Sequence, residues 1–243
     1  MRTVSDEDLL HRWTGAAERL GAQYSVWVEG ERLIAAYAKP ARRYHGIEHL
    51  RAVLDHVDTL ERFAHDADVV RVAAWFHDAV HDPTRDDNEH ASAALAETVL
   101  DRMDVEDDTI AEVSRLVRLT ATHDPDPDDR DGIVLCDADL AVLGGTPDEY
   151  TAYAAAIRLE FAHVPTEDFA VARADVLKVL LRRPRIYRSP AARTAWEERA
   201  RTNLEREIAF LAESLDAGAK NVTLPQEPPR ATDRIDDDAV PTP

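Results

Sequence analysis

The chain has one cysteine, eight glycines and no long apolar run among its 243 residues. A single cysteine, Cys136, excludes an intrachain disulfide and suits a reducing compartment. So few glycines disfavour β-rich and α/β folds with many tight turns, whereas plentiful alanine, leucine, arginine and glutamate favour helix. No stretch approaches the roughly 20 apolar residues that a membrane-spanning helix needs. We therefore expect a helical protein without a membrane span.

Positive charge is also scarce, because 29 lysines and arginines face 48 acidic residues and leave a net charge of -19. This charge repels nucleic-acid backbones and anionic membranes, so we expect neither a polymeric nucleic acid nor a membrane as partner. A small phosphorylated substrate remains compatible, because a metal or a few arginines can reverse the field locally. The N-terminus shows no apolar signal segment, and we expect a cytoplasmic location.

Helical periodicity covers nearly the whole chain and predicts an all-α fold, a single bundle of about eight to ten helices within residues 1–215. The predicted helices run over approximately residues 5–20, 24–37, 46–63, 68–80, 88–103, 107–122, 148–161, 166–181 and 190–215. Thr146 to Glu149 form a predicted capping box with proline at the first helical position. The proline-containing, apolar-poor tail at 216–243 is predicted to be disordered.

A polar pair interrupts the most apolar segment of the chain. Residues 69–80 are apolar on every helical face except at Arg71, which predicts a helix buried on all sides, yet they include His77 and Asp78. An unpaired buried carboxylate is strongly unfavourable. Asp78 therefore needs either a bound cation or a hydrogen-bonded partner such as His77, and the pair alone leaves both interpretations open.

Further candidate ligands lie elsewhere in the chain. Asp137 and Asp139 interrupt a second apolar segment, residues 132–143, and a cation shared with Asp78 would compensate all these charges. His45 and His49 are four residues apart, which predicts that both imidazoles lie on one face of a helix.

Taken in order, His49, the pair His77–Asp78 and Asp139 form the pattern H…HD…D. This pattern resembles the metal-binding motif of the HD superfamily of phosphohydrolases. Local strings extend the resemblance over about residues 5–212 to a subfamily of bacterial predicted metal-dependent HD phosphohydrolases. These strings include Arg-Tyr-His at 43–45, Trp-Phe-His-Asp-Ala-Val at 75–80, Asp-Ala-Asp-Leu at 137–140, Ile-Arg at 157–158 and Ile-Tyr at 186–187.

The resemblance implies that His49, His77, Asp78 and Asp139 bind a divalent metal ion. Asp139 is preferred to Asp137 because the last ligand of the superfamily usually follows alanine, and Asp137 would then orient a ligand or a water. Mixed imidazole and carboxylate ligation suits manganese, iron, cobalt, nickel or zinc, with magnesium also admitted. The activity implied is metal-assisted hydrolysis of a small phosphate ester, expected to be a nucleotide.

The resemblance also implies roles beside the metal. His45 would donate a proton to the leaving oxygen. Asp82 matches the second acid of the HDxxED motif of guanosine tetraphosphate hydrolases, in which His81 replaces the glutamate, so Asp82 either acts on water or begins the turn at Pro83. Glu89 is expected to face the site, with a favourable position in a first helical turn as the alternative.

Two residues have roles that the sequence leaves open. His123 is a candidate ligand for a second metal, or it caps the C-terminal turn of a helix. Arg158 contacts a substrate phosphate, or it forms an ion pair with Glu160 or a neighbouring acid. The remaining histidines are expected at the surface: His11, His56, His65, His90 and His163.

Three other functions are compatible with parts of this pattern. Residues 45–49 match the HxxEH motif of a class of zinc peptidases, in which Glu48 would be the general base. A di-iron oxygenase of the HD type, like inositol oxygenase, needs two further histidines, of which His123 is the best placed. A metal-stabilised regulatory module without enzymatic activity is the third.

Overall fold

The computed structural model describes residues 4–216, and every regular element among them is helical. The all-α prediction is confirmed, with ten α-helices in this part of the chain. The predicted tail lies outside the described residues from 217 onward, and the single-domain boundary stays a prediction. The helices are α1 Val4–Arg19, α2 Val26–Tyr37, α3 Ile47–Leu60, α4 Ala67–Phe76, α5 Asn88–Arg102, α6 Asp107–Leu119, α7 Arg130–Asp139, α8 Pro147–Glu160, α9 Thr166–Arg182 and α10 Pro190–Asp216.

Side-chain caps define several helix starts. The Asp66 carboxylate accepts hydrogen bonds from the first-turn amides of α4, at 2.9 Å from Asp68 and 3.2 Å from Val69. At the start of α8, Thr146 and Glu149 exchange side-chain to backbone hydrogen bonds, so the predicted capping box is confirmed. These caps satisfy amides that a helix leaves unpaired at its N-terminus.

Helix α4 lies at the centre of the bundle, in contact with α1, α3, α5, α6 and α7. Its residues from Val72 to Phe76 are fully buried on all faces, as predicted. Trp75 and Phe76 pack edge-on against Trp13 of α1, with ring centroids 5.5 Å and 5.7 Å apart. Each fully buried side chain of this size stabilises the fold by roughly 1.5–3 kcal/mol, so the buried side chains of α4 contribute strongly to the stability of the core.

Arg71, the polar exception within α4, lies at the edge of this core. Its guanidinium forms ion pairs with Asp58 at 2.7 Å and Asp68 at 2.8 Å, and a third with Glu61. A charged side chain is tolerated there because three carboxylates surround it.

Two predicted boundaries are wrong near the polar residues of interest. Helix α4 ends at Phe76 rather than at residue 80, and His77 and Asp78 lie in the turn that follows. Helix α3 begins at Ile47, with Gly46 as its N-cap, so His45 precedes the helix and does not share a helical face with His49.

Arg42 explains why the chain turns after α4. Its guanidinium donates to the carbonyl of Asp78 at 2.6 Å and to that of Ala79 at 2.9 Å. These carbonyls lie in the turn beyond α4, outside the hydrogen-bond pattern of the helix, and Arg42 supplies their partners within the protein. The loop between α2 and α3 therefore holds the turn that carries His77 and Asp78.

No helix within residues 4–216 is both long enough and apolar enough to cross a bilayer.

Replacing Arg42 with alanine is expected to lower the free energy of unfolding by about 3 kcal/mol or more. The substitution removes three hydrogen bonds from a charged donor, to the carbonyls of His45, Asp78 and Ala79, and hydrogen bonds of this kind are worth roughly 1.5–3 kcal/mol each. Arg85→Ala is the control, because Arg85 pairs with Asp87 at an exposed site, where such a pair contributes little to stability. Urea denaturation measures both variants, and equal losses would contradict the role given to Arg42.

Candidate metal centre

Four predicted ligands from three helices converge at one point of the core. His49 lies in the first turn of α3, His77 and Asp78 follow α4, and Asp139 is the last residue of α7. Helices α3, α4 and α7 contact one another, which brings these side chains together. His49 and His77 are buried, and the side chains of Asp78 and Asp139 are each 13% exposed.

The donor atoms of these residues are closely and evenly spaced. The two Nε2 atoms of His49 and His77 lie 3.1 Å apart. Asp78 Oδ2 is 3.4 Å from the first and 3.1 Å from the second. Asp139 Oδ1 is 3.2 Å and 3.6 Å from the same two nitrogens.

This spacing fits a coordination shell. Two donors about 2.1 Å from one cation lie about 3.0 Å apart at a right angle and about 3.4 Å apart at the tetrahedral angle. Four of the five donor distances, at 3.1–3.4 Å, fall in this range, and the fifth, between His77 and Asp139, is slightly longer at 3.6 Å. His49, His77 and Asp139 therefore form a group that could hold a metal ion. Asp78 lies beside this group, 3.1–3.4 Å from the two imidazoles, and we call the four residues together the four-residue centre.

Hydrogen bonds orient the ligands toward the centre. His77 Nδ1 lies 2.8 Å from the carbonyl oxygen of Ala74, which can only accept, so Nδ1 carries a hydrogen and Nε2 is the nitrogen that faces the carboxylates. The other carboxylate oxygen of Asp139, Oδ2, lies 2.7 Å from His123 Nε2. Partners of this kind fix the tautomer and the direction of metal ligands in known sites.

The turn that carries His123 is held in an uncommon conformation. His123 has a φ of 49°, in the left-handed region, which costs a non-glycine residue about 1–3 kcal/mol. Arg183 offsets this cost by donating to the carbonyls of His123 at 2.6 Å and Thr122 at 2.7 Å. The strained turn thereby keeps the His123 ring against Asp139.

The electrostatics of the centre favour a cation. Burial lowers the pKa of His77, but the adjacent carboxylates of Asp78 and Asp139 outweigh burial and raise this pKa to about 10. Burial would raise the pKa of each aspartate, yet the imidazoles hold both carboxyl pKa values well below their usual range. Two ionised carboxylates thus share a buried site, and such charges require a positive counterpart.

Asp137 points away from this centre. Its carboxylate accepts the backbone N–H groups of Arg188 at 2.8 Å and Ser189 at 2.7 Å, just before α10. Of the two aspartates at the end of α7, the structure brings Asp139 to the histidines and leaves Asp137 to hold the start of α10. The predicted contact of Asp137 with a ligand or its water is not formed by this arrangement.

A second polar cluster adjoins the four-residue centre, and it consists of His45, His81 and Glu160. Glu160 Oε1 lies 2.6 Å from His81 Nε2 and also forms a hydrogen bond with His45 Nδ1. The rings of His45 and His49 have centroids 5.7 Å apart, which places the two clusters side by side.

Glu160 is also bound to the backbone before α3. Its Oε2 accepts the N–H groups of Arg43 at 2.7 Å, Tyr44 at 2.9 Å and His45 at 3.3 Å. Burial would raise the pKa of Glu160, but the hydrogen bonds from His45 and His81 lower it. Glu160 is therefore an ionised carboxylate with all its contacts satisfied inside the protein.

The sequence analysis missed this role of Glu160, which it considered only as a partner of Arg158. A signal was present, because Glu160 follows Tyr153 and Ile157 at helical spacing on the inward face of α8. His81 was noted only as a departure from an acidic motif. Neither residue could be placed beside His45 without knowing how α8 packs.

Other predicted site residues lie apart from both clusters. The exposed carboxylate of Asp82 accepts the N–H and the hydroxyl of Thr84, at 2.9 Å and 2.7 Å, as expected for a residue that begins the turn at Pro83. Glu89 lies half-buried in the first turn of α5 and belongs to neither cluster.

Arg158 does not pair with Glu160, so that alternative is wrong. Its guanidinium donates to the carbonyls of Phe161 at 2.7 Å and Val164 at 3.1 Å, and it lies over the ring of Phe169. Arg158 therefore holds the turn between α8 and α9 rather than facing the four-residue centre.

A cavity of about 440 Å³ opens beside His49 and Asp139. His56 and Trp196 form part of its wall, with their rings edge-on at 4.9 Å. The prediction that His56 is a surface residue is wrong, because it is half-buried in this wall. The other four histidines are exposed as predicted: His11, His65, His90 and His163.

Comparison with protein-family models finds no match to this chain, and neither the curated proteins nor the solved structures give one. Membership of the HD superfamily therefore stays a prediction based on the motif residues.

Replacing His123 with asparagine is expected to weaken metal affinity about 10- to 100-fold, because Asp139 loses the partner that orients it. Asparagine tolerates the left-handed backbone but is too short to reproduce the contact. The exposed His163→Asn is the control. Competition with a chelating dye measures both affinities, and an unchanged affinity in His123→Asn would contradict the supporting role of His123.

Proposed function

We propose that this protein is a metal-dependent hydrolase of small phosphate esters. The observation that carries the proposal is the four-residue centre, in which the donor atoms of His49, His77 and Asp139 are close enough to hold a metal ion, with the Asp78 carboxylate against both imidazoles and an open cavity alongside. The resemblance of these residues to the H…HD…D pattern supports the same activity. A divalent cation in this centre would act as a Lewis acid and lower the pKa of a bound water toward about 7.

His45 supplies the proton that the reaction requires. Its side chain is 21% exposed and its ring lies next to that of His49, with centroids 5.7 Å apart. The oxygen of water joins phosphorus, the bond between phosphorus and the ester oxygen breaks, and that oxygen takes the proton of His45. Imidazole is the side chain that most often acts as a general acid or base in enzymes.

The cavity limits the substrate to a small molecule. Its volume of about 440 Å³ lies within the range of roughly 300–1,000 Å³ common for small-molecule sites. Arg43 and Arg199 are exposed at its wall and can meet a phosphate despite the acidic chain. Trp196 and His56 offer planar surfaces, so a nucleotide is the substrate we propose.

The contacts of residues 45–49 argue against a zinc peptidase. The HxxEH motif requires both histidines to bind one zinc, but His45 is bonded to Glu160 and His49 faces His77. The carboxylate of Glu48, the would-be base, is 83% exposed and lies 3.8 Å from Arg51.

An HD-type di-iron oxygenase is distinguished by its metal content. His123 forms a hydrogen bond with Asp139, and His81 forms one with Glu160. In an oxygenase these imidazoles would bind a second iron instead. Two irons per chain with a mixed-valence signal would support the oxygenase and contradict the hydrolase.

A screen of phosphorylated metabolites, each with manganese, cobalt, nickel, iron, magnesium or zinc, is expected to show release of phosphate or pyrophosphate. His77→Ala is expected to abolish this release because it removes a central ligand. The exposed His90→Ala is the matched control. No release with any metal would refute the proposed function.

Replacing His45 with alanine is expected to lower kcat about 10²- to 10⁴-fold, the usual contribution of a proton donor. Bound metal should remain, since the four-residue centre is intact. Steady-state kinetics and metal analysis of the same preparation test this. Full phosphatase activity in His45→Ala, with loss in His77→Ala only through unfolding, would instead favour a regulatory module.

A further inference from the structure

The cluster of His45, His81 and Glu160 sits beside the four-residue centre, and its spacing differs from that of the centre. In the four-residue centre, imidazole and carboxylate donors are 3.1–3.6 Å apart. In the cluster, Glu160 Oε1 is 2.6 Å from His81 Nε2 and in direct hydrogen-bond contact with His45 Nδ1. Donors about 2.1 Å from one cation lie at least about 3.0 Å apart for right-angle or wider geometry. The cluster thus has the spacing of shared protons, not of a second cation.

Hydrogen bonding determines which nitrogen of His45 is available. An ionised carboxylate can only accept, so His45 Nδ1 carries the hydrogen that it shares with Glu160. His45 Nε2 has no hydrogen-bond partner within residues 4–216 and belongs to a side chain that is 21% exposed. That nitrogen is the one free to face a leaving oxygen.

Backbone hydrogen bonds hold the Glu160 carboxylate in addition to its contacts with His45 and His81. Its side chain is 1% exposed, and three consecutive backbone amides from Arg43 to His45 bind Oε2. His81 binds the same oxygen as His45, and the two imidazole rings lie 4.2 Å apart. The carboxylate is therefore fixed in position and cannot rotate away from His45.

We propose that Glu160 is a positioning residue which holds the His45 ring and its charge for proton donation, with His81 as the second contact that locks the carboxylate. The inference rests on the proposed function, because it assigns a role within the same hydrolysis. When His45 gives its Nε2 proton to the ester oxygen, Glu160 keeps the Nδ1 hydrogen in place. Before that step, its negative charge stabilises the protonated imidazole.

The experiment compares two substrates whose leaving oxygens differ in basicity. A proton donor matters for a basic leaving oxygen and little for one that departs readily as an anion. Phenyl phosphate and 4-nitrophenyl phosphate are matched in shape, but phenol, with a pKa of about 10 like tyrosine, is the more basic leaving group. Glu160→Gln removes the charge at nearly constant size, and Glu167→Gln at the exposed start of α9 is the control.

For Glu160→Gln, kcat/KM is expected to fall about 10²-fold with phenyl phosphate and less than about 10-fold with 4-nitrophenyl phosphate. Adding Glu160→Gln to His45→Ala should cause little further loss with phenyl phosphate, because the two residues act as one unit. Glu167→Gln should match the wild type with both esters. The ratio of the two rates does not depend on how much of a variant is folded.

Equal losses with both esters would overturn the inference and leave the proposed function intact. If the wild type binds two metal ions per chain and Glu160→Gln loses one of them, the cluster is a second metal site and the inference is wrong. The inference is also wrong if the wild-type protein hydrolyses neither phenyl phosphate nor 4-nitrophenyl phosphate. If that protein also leaves every metabolite of the screen intact, the proposed function fails with it.

Discussion

The structure depends on the compensation of two carboxylates that lie deep in an apolar bundle. Asp78 and Asp139 are ionised and close to two imidazoles, and each follows a buried, largely apolar stretch of its helix. Burying even one such charge without a partner is strongly unfavourable. A divalent cation bound by His49 and His77 would compensate both carboxylates at once, in place of the protons that the carboxylates favour on the two imidazoles.

The fold supplies this site through helix ends rather than helix faces. Arg42 binds the carbonyls after α4 and fixes the turn that bears His77 and Asp78. Asp137 holds the start of α10 and leaves Asp139 to face the histidines. Glu160 binds the backbone before α3, so the segment that carries His45 is tied to α8. These polar contacts set the relative positions of groups that sequence places far apart.

Much of the four-residue centre could be predicted from the sequence because its polar residues interrupt apolar segments. The choice between Asp137 and Asp139 could not be made from helix geometry alone, since residues two apart point to nearly opposite sides of a helix. The early end of α4 was missed because the turn is stabilised by Arg42, a distant residue with no local signal. Glu160 and His81 were missed for the same reason, since only the packing of α8 brings them to His45.

Anomalous X-ray diffraction from crystals grown with manganese or zinc tests the central claim most directly. We expect one strong anomalous-difference peak about 2.0–2.2 Å from donor atoms of His49, His77, Asp78 and Asp139. No peak at this position, or a peak held by Glu160 instead, would contradict it.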